Sequence, residues 1–335
     1  MAYFRLTPLT IKRIEKFKKN KVAYGSAWIL IVGLLASLWA PLVANDKPYV
    51  MKYENKIYFP FFTKPTAMDL GIKDRYTIDY HHLNIDWALR PPISFNPLES
   101  NLKISQYPSR PTLDNPFGTD DRGRDVFARL LYGFRYGFIY SVGVWVVTFL
   151  IGTVFGLIMG FFGGWTDLLG QRIVEVMSSV PQFFLLIILI SIFEPSLVLL
   201  VAITSLFGWI SISYYMRAEA LKLRKLEFIE AARALGQPTW KIILKHLLPN
   251  ALTPIITFSP FAIAAGITGL AALDYLGFGL APPTPSWGEL LNQAKQHFTT
   301  AWWLAFFPSM ALFGTLTLLN FVGEGLRNAF DPKAD

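Results

Sequence analysis

Six long uncharged stretches punctuate this chain, and each is long enough to cross a hydrocarbon core, which takes about 20 residues. They lie between Lys21 and Asp46, Arg135 and Asp167, Glu175 and Glu194, Glu194 and Arg217, Lys245 and Asp274, and Lys295 and Glu324. The pattern predicts six transmembrane helices. The third stretch is the weakest of them, because Glu175 sits near one end, a helical turn from Arg172.

Between the fourth and fifth stretches the pattern changes. Residues 217–249 are too charged to cross a bilayer, yet apolar positions recur at helical spacing: Leu221, Phe228, Ile229, Ala232, then Trp240, Ile243 and Leu247. Gly236 tolerates a left-handed backbone and Pro238 suits a helix start, so the pair predicts two short amphipathic helices joined by a sharp turn. Such helices present an apolar face to a partner. Another break is the segment 46–115, which is rich in aromatics. Its run YVMKYENKIYFP alternates around Glu54 and Asn55 and predicts a β-hairpin. Prolines 91, 92, 97, 108 and 111 make the remainder extended and turn-rich. About 70 residues give a marginal core, so this insert is expected to lean on the membrane domain.

Composition agrees with a membrane protein. The 335 residues are 53% hydrophobic and 16% charged, where soluble domains run at about 25% charged. The charges then orient the spans. Residues 1–22 hold seven Lys or Arg, Arg5 among them, and residues 217–245 hold seven more, and basic short loops stay cytoplasmic. Both segments, and the C-terminus, fall on one side of a six-span chain. The segment 46–135 has 13 basic and 11 acidic residues and is expected outside. The net charge of +8 therefore faces anionic membrane lipid and is not the basic face of a nucleic-acid-binding domain. The first apolar stretch is too long for a signal peptide and is expected to remain as an uncleaved helix. With no cysteine, disulfide and thiol chemistry are excluded.

The residues EAARALG, followed by LLPN ending at Asn250, resemble the signature of bacterial ABC importer permeases. Glu230, Ala231, Ala232, Gly236, Leu248 and Pro249 match it at the required spacing, and His246 stands where isoleucine is usual. EAA by itself is uninformative; this spacing between apolar spans is specific. Two further boxes are similar to the dipeptide/oligopeptide branch of that family. In the first, Gly118, Thr119, Asp120, Gly123, Arg124, Asp125, Arg129, Gly133 and Arg135 match, and Phe117 and Ala128 differ conservatively. It is read as an interfacial helix held by Asp–Arg pairs, with Asp114 or Asp120 as N-cap and Val126, Leu130 and Leu131 on its apolar face. The second box is LGFGLAPPTPSWGELL, and the ending GEGLRNAFDP matches as well. Leu270 stands where many members have Glu, and Asp274 where Ser is usual. The resemblance covers residues 114–335 and the first helix. The insert, with ANDKP at 44–48 and YFP at 58–60, looks like that of the permease subunit of microcin C-type peptide importers.

That resemblance implies a type I importer permease, an all-α membrane protein of six transmembrane helices with a long, partly β periplasmic insert. Residues 1–45 form the cytoplasmic segment and first helix, 46–135 the insert and interfacial helix, and 136–335 a five-helix core. It implies a bacterial inner membrane, both termini cytoplasmic, a second permease subunit, cytoplasmic ABC ATPases docked on residues 217–249, a periplasmic substrate-binding protein and a peptide-like substrate. ATP is used by the partner subunits, and no cofactor is expected on this chain, which lacks a P-loop.

No catalytic constellation emerges from the residues. The adjacent His81 and His82 suggest metal binding, but neighbours on a strand point to opposite faces. Asp120, Asp121 and Asp125 are interleaved with Arg122 and Arg124, which favours ion pairing. Polar residues at membrane depth carry more weight. Glu175 has Arg172, and Glu324 has Arg327, three residues away for pairing. Gln182, after Pro181, and Asp274, at the outer end of its span, are the translocation-path candidates. A channel or secondary transporter would favour more intramembrane charge and inverted repeats, and a membrane-embedded enzyme would need a clustered nucleophile or acid–base set. The insert's Tyr58, Phe61 and Phe62 have two readings, packing into a small subdomain or capping the outer mouth and receiving a binding protein.

Overall fold

The chain folds around two long helices that cross the molecule in contact along most of their length. The computed structural model describes residues 8–71 and 78–331, the side chains of Leu9 and Pro254 excepted. Arg5 and Pro332 lie outside the described residues. The helices are α1 (Pro8–Lys19), α2 (Lys21–Leu38), α3 (Ala40–Val43), α4 (Pro60–Thr63), α5 (Val126–Phe162), α6 (Gly164–Ser179), α7 (Gln182–Ile192), α8 (Leu197–Leu223), α9 (Glu227–Ala234), α10 (Thr239–Ile242), α11 (Leu248–Tyr275), α12 (Trp287–Gln296) and α13 (Trp302–Phe330). Five of them, α2, α5, α8, α11 and α13, are long and apolar enough to cross a membrane.

The sixth expected span is broken. α6 and α7 meet at an angle of 67°. Val180 is extended, as a residue before proline prefers, and Pro181 caps α7. With 11 residues α7 is about 16 Å long, too short to span alone. The stretch between Glu175 and Glu194 is therefore not one straight helix, and α6 and α7 reach the length and apolarity of a span only together.

The close pairing of α5 and α8 rests on three glycines four residues apart. A Cβ on Gly152, Gly156 or Gly160 would collide with the α8 backbone at Trp209, Ser213 and Arg217. Small residues at this spacing let two membrane helices approach to backbone contact. This GxxxGxxxG stripe is plain in the sequence. α2 packs on α13 and α5, and α1 lies along the end of α13. Arg13 sits 4.3 Å over the Phe330 ring and Lys16 donates to the Asp331 carbonyl, so the two ends of the described chain lie together.

The insert holds the expected hairpin, β1 (Val50–Tyr53) and β2 (Lys56–Tyr58), turned by Glu54 and Asn55 at φ +48° and +61°. A third strand, β3 (Trp87–Leu89), pairs antiparallel on the other side of β1 and was not expected. Three residues carry too little alternation to be read. Met51, Leu70 and Tyr80 form a small core, with Tyr58 packed against it. Phe61 is half-buried against Tyr49, and Phe62 is exposed, so of the three aromatics Tyr58 and Phe61 take part in packing the insert. The insert leans on the membrane helices as expected: Ala44, Ile93 and Phe95 pack on Ala128 of α5.

Candidate functional site

The segment 217–249 is an elbow. α8 carries the chain out to Leu223, so residues 217–223 belong to a membrane helix and not to a separate amphipathic one. α9 follows. Its end is a Schellman turn: Gly236, at φ +69°, donates to the Arg233 carbonyl at 2.9 Å, and Gln237 donates to Ala232 at 3.1 Å. Pro238 then caps α10, which continues through a π-turn (Ile243–Leu247) into α11, with Pro249 in its first turn. The second helix is thus the start of a span, and any force on α10 acts directly on α11.

The apolar positions do not form one face. Ile229, Ala232, Ile242 and Leu247 are buried in a cluster with Leu157 and Phe161 of α5 and with Met216 and Ala220 of α8. Phe228, Leu235, Trp240 and Leu244 face outward, with Leu235 79% and Trp240 65% exposed. Periodicity reveals apolar positions but does not separate those used within the chain from those left for a partner. Of the matched signature residues, Glu230 and Ala231 are exposed, Ala232 is buried, Gly236 makes the turn, Leu248 is half-buried and Pro249 is exposed.

Three of the bases expected to face lipid are used inside the fold. Arg217 makes a bidentate pair with Asp167 of α6 at 2.5 and 2.7 Å. Arg224 donates to the Gly160 carbonyl at the end of α5, and Arg233 lies 5.0 Å from the Phe161 ring. His246, the departure from the family signature, stands 3.1 Å from the Gln237 side chain and bridges the elbow.

At the opposite end of α5 lies a buried charge cluster. Arg129 is fully buried; it donates to the Pro97 carbonyl at 3.0 Å, pairs with Glu289 of α12 and lies 3.5 Å from Asp120. Arg124 bonds Asp120 at 2.7 Å and Glu289 at 3.0 Å. The expected Asp–Arg pairing is present, but its keystone, Glu289, was missed. Ser286 and Glu289 have the S-x-x-E spacing of a helix start. Ser286 does cap α12, while the Glu289 carboxylate turns to the arginines. The N-cap of α5 is Asp125, not Asp114 or Asp120: its carboxylate accepts from Ala128 N at 2.7 Å. Burial pushes the Asp125 carboxyl up to about 6 against that hydrogen bond. Among the described residues no separate interfacial helix precedes this span: α5 runs unbroken from Val126, and the boundary expected at 135 falls inside it.

The two translocation-path candidates sit differently. Gln182 is exposed at the start of α7. Asp274 is buried, and its two oxygens accept from Leu280 N at 2.7 Å and from the Ser286 hydroxyl, which closes the loop between α11 and α12. Leu270 is buried in the cluster that joins α7 to α11. Glu175 pairs with Arg172 at 2.5 Å on the surface, whereas Glu324 and Arg327 form no ion pair among the described residues. His81 stacks on Phe95 and His82 turns to Asp79, in a turn and not a strand. No group of three His, Cys, Asp or Glu among the described residues is placed to hold a metal.

One carboxyl in the insert makes stability depend on pH. Burial, with Asp46 and Asp79 nearby, pushes Glu99 up from 4.5 to about 7. The folded state then holds a proton that the unfolded chain releases between these values. The stabilisation is complete below pH 4.5 and is lost as pH rises through about 7. The thermal unfolding midpoint should fall between pH 5 and pH 8, and by less in Glu99→Gln. Equal falls in the two proteins would refute this.

Comparison with known proteins decides the family. Residues 152–335 match the model of the binding-protein-dependent transport system inner membrane component, and residues 12–67 match that of the N-terminal TM domain of oligopeptide transport permease C. The chain belongs to the binding-protein-dependent ABC importer permeases. The inner membrane ABC transporter permease protein YejE of Escherichia coli (strain K12) is 40% identical to it over 98% of both chains. The peptidoglycan transport system permease protein YejE of Agrobacterium fabrum is 37% identical over 98% of this permease and 94% of its own length. The oligopeptide transport system permease protein OppC of Haemophilus influenzae is 36% identical over 65% and 70%. This permease is thus a multi-pass inner-membrane subunit of a transport family and not of an enzyme family.

Proposed function

We propose that this permease forms one half of the path of an ATP-driven importer for peptides or peptide-like compounds. The observation that carries the proposal is the elbow. Its inner side is locked into α5, α8 and α11, while Phe228, Leu235, Trp240 and Leu244 are held outward with Glu230. Large apolar side chains fixed on a stiff, bent surface suit a groove on a second protein, and the family resemblance makes that protein a cytoplasmic ABC ATPase. A second permease completes the path, and a binding protein delivers the cargo. The peptide class rests on relatives named for oligopeptide, dipeptide and peptidoglycan transport. The long insert, like that of microcin C-type importers, favours peptide conjugates within it. ATPase subunits should co-purify with the permease; a permease that transports peptide without them would sink the proposal.

The basic segments support an orientation with the elbow and both termini in the cytoplasm and residues 46–135 outside. The natural chain lacks cysteine, so single cysteines report this directly. Leu113→Cys, fully exposed in the insert, should react with an impermeant maleimide in intact spheroplasts. Leu235→Cys, on the elbow, should react only after permeabilisation. The reverse pattern would overturn the orientation.

A further inference from the structure

The insert contains a polar cavity that neither the elbow nor the membrane path uses. It measures about 320 Å³ and lies between the turn at His81, the strand-exit segment 90–95 and the loops at 103 and 113–114. That is the size of a small-molecule pocket. Two cations line it, Arg90 and Lys103. Among the described residues no carboxylate lies within ion-pair distance of either, and Glu99 acts on Arg90 only at longer range. Arg90 is half-buried and is held in place by two bonds, to the Tyr80 carbonyl at 2.7 Å and to His81 Nδ1 at 3.5 Å. These leave further guanidinium N–H groups unused, since arginine carries five. Lys103 is exposed, and its ammonium has no hydrogen bond within the described fold. The Ser94 hydroxyl adds a neutral donor, and Phe95, Pro92 and Leu113 add apolar wall.

The charge of the lining limits what would fit. Burial, with Arg90 and Lys103 close by, holds His81 below its ordinary value, so the imidazole is neutral at pH 7. Asp114 is the single acidic residue of the lining. Two cations against one carboxylate in the lining, with Glu99 the next carboxyl beyond it, leave at most a net charge of one, which suits a monoanion and disfavours a phosphate dianion. Unpaired guanidinium and ammonium groups around an apolar wall are the donor set for a carboxylate on an apolar body.

We infer that this cavity binds the carboxylate of a small organic monoanion, with Arg90 and Lys103 as its cationic contacts and the exposed Pro92 and Leu113 against the ligand's apolar body. The site is separate from the elbow, so it stands or falls independently of ATPase coupling.

The test uses the full chain in nanodiscs at pH 7, with empty nanodiscs subtracted, and calorimetric titration of three probes: N-acetyl-L-phenylalanine, its amide, and phenyl phosphate. The carboxylate should bind saturably, and the amide about tenfold more weakly or worse, because it lacks the charge that strengthens each hydrogen bond. Arg90→Gln and Lys103→Gln should each weaken the carboxylate about tenfold. Lys52→Gln, a cation of the same insert outside the cavity, should leave it unchanged. Arg90 also braces the Tyr80 turn, so Lys103→Gln, whose side chain the fold does not use, is the deciding variant. Equal binding of acid and amide, unchanged affinity in Lys103→Gln, or tighter binding of phenyl phosphate would each overturn the inference.

Discussion

Gly236→Val is expected to leave membrane insertion intact and to uncouple ATP hydrolysis from transport. Gly236 sits at φ +69° in the turn between α9 and α10, and a Cβ there meets no atom within 4 Å. The cost is therefore backbone strain and not collision. A left-handed residue costs about 1–2 kcal/mol for an ordinary side chain and more for a β-branched one. The strain is relieved by opening the turn, which gives up the hydrogen bonds from Gly236 and Gln237 and turns α9, with Glu230, away from α10. Each 1.4 kcal/mol shifts the ratio of bent to open forms about tenfold, so with strain added and both turn hydrogen bonds lost the open form gains at the expense of the bent one, and substrate-stimulated ATPase activity of the assembled complex should drop several-fold or more. The buried residues Ile229, Ala232, Ile242 and Leu247 are untouched, and the melting midpoint should move little. Gly236→Asn, which tolerates the left-handed region, should retain most of the activity. Glu230→Lys should also impair coupling, through its exposed charge and without backbone strain. Full stimulation in both Gly236→Val and Glu230→Lys would show that the elbow is not the docking element.

The largest loss of stability is expected from Arg129→Ala. This side chain has no exposed surface, and it ties three separate parts of the chain together: the Pro97 carbonyl of the insert, Asp120 ahead of α5 and Glu289 of α12. Removing it leaves Asp120 and Glu289 with Arg124 alone. Breaking a buried ion cluster by deleting one partner costs about 3–5 kcal/mol, because an uncompensated charge stays buried. Arg129→Lys keeps the charge but not the forked geometry, and should fall between. Thermal unfolding in nanodiscs, followed by tryptophan fluorescence, measures both. An unchanged midpoint for Arg129→Ala would mean that the cluster does not hold the insert and α12 to α5. Loss of Glu289 should mimic Arg129→Ala, since the same arginines lose their shared carboxylate.

The sequence by itself determined what depends on neighbouring residues. Five spans follow from unbroken apolar runs, since a helix must bring about 20 such residues to a bilayer. The hairpin follows from alternation around Glu54–Asn55, and the sharp turn at Gly236 from a residue that alone adopts positive φ without strain. The elbow's other motif residues, Glu230, Ala231, Ala232, Leu248 and Pro249, were legible only through their resemblance to the family signature. Only the tertiary structure decided how residues distant in sequence pair. Glu289 meets Arg124 and Arg129 across more than 150 positions, and Asp167 meets Arg217 across 50. A charge carries no sign in the sequence of which partner it finds. The break at Pro181 was visible as a proline, but its 67° bend depends on what α6 and α7 pack against. The division of the elbow into a buried side at Ile229 and Ile242 and an outward side at Phe228 and Trp240 was likewise out of reach. Helical spacing gives one apolar stripe, and which part of it meets α5 and α8 is fixed by how closely the glycines of α5 let those helices approach.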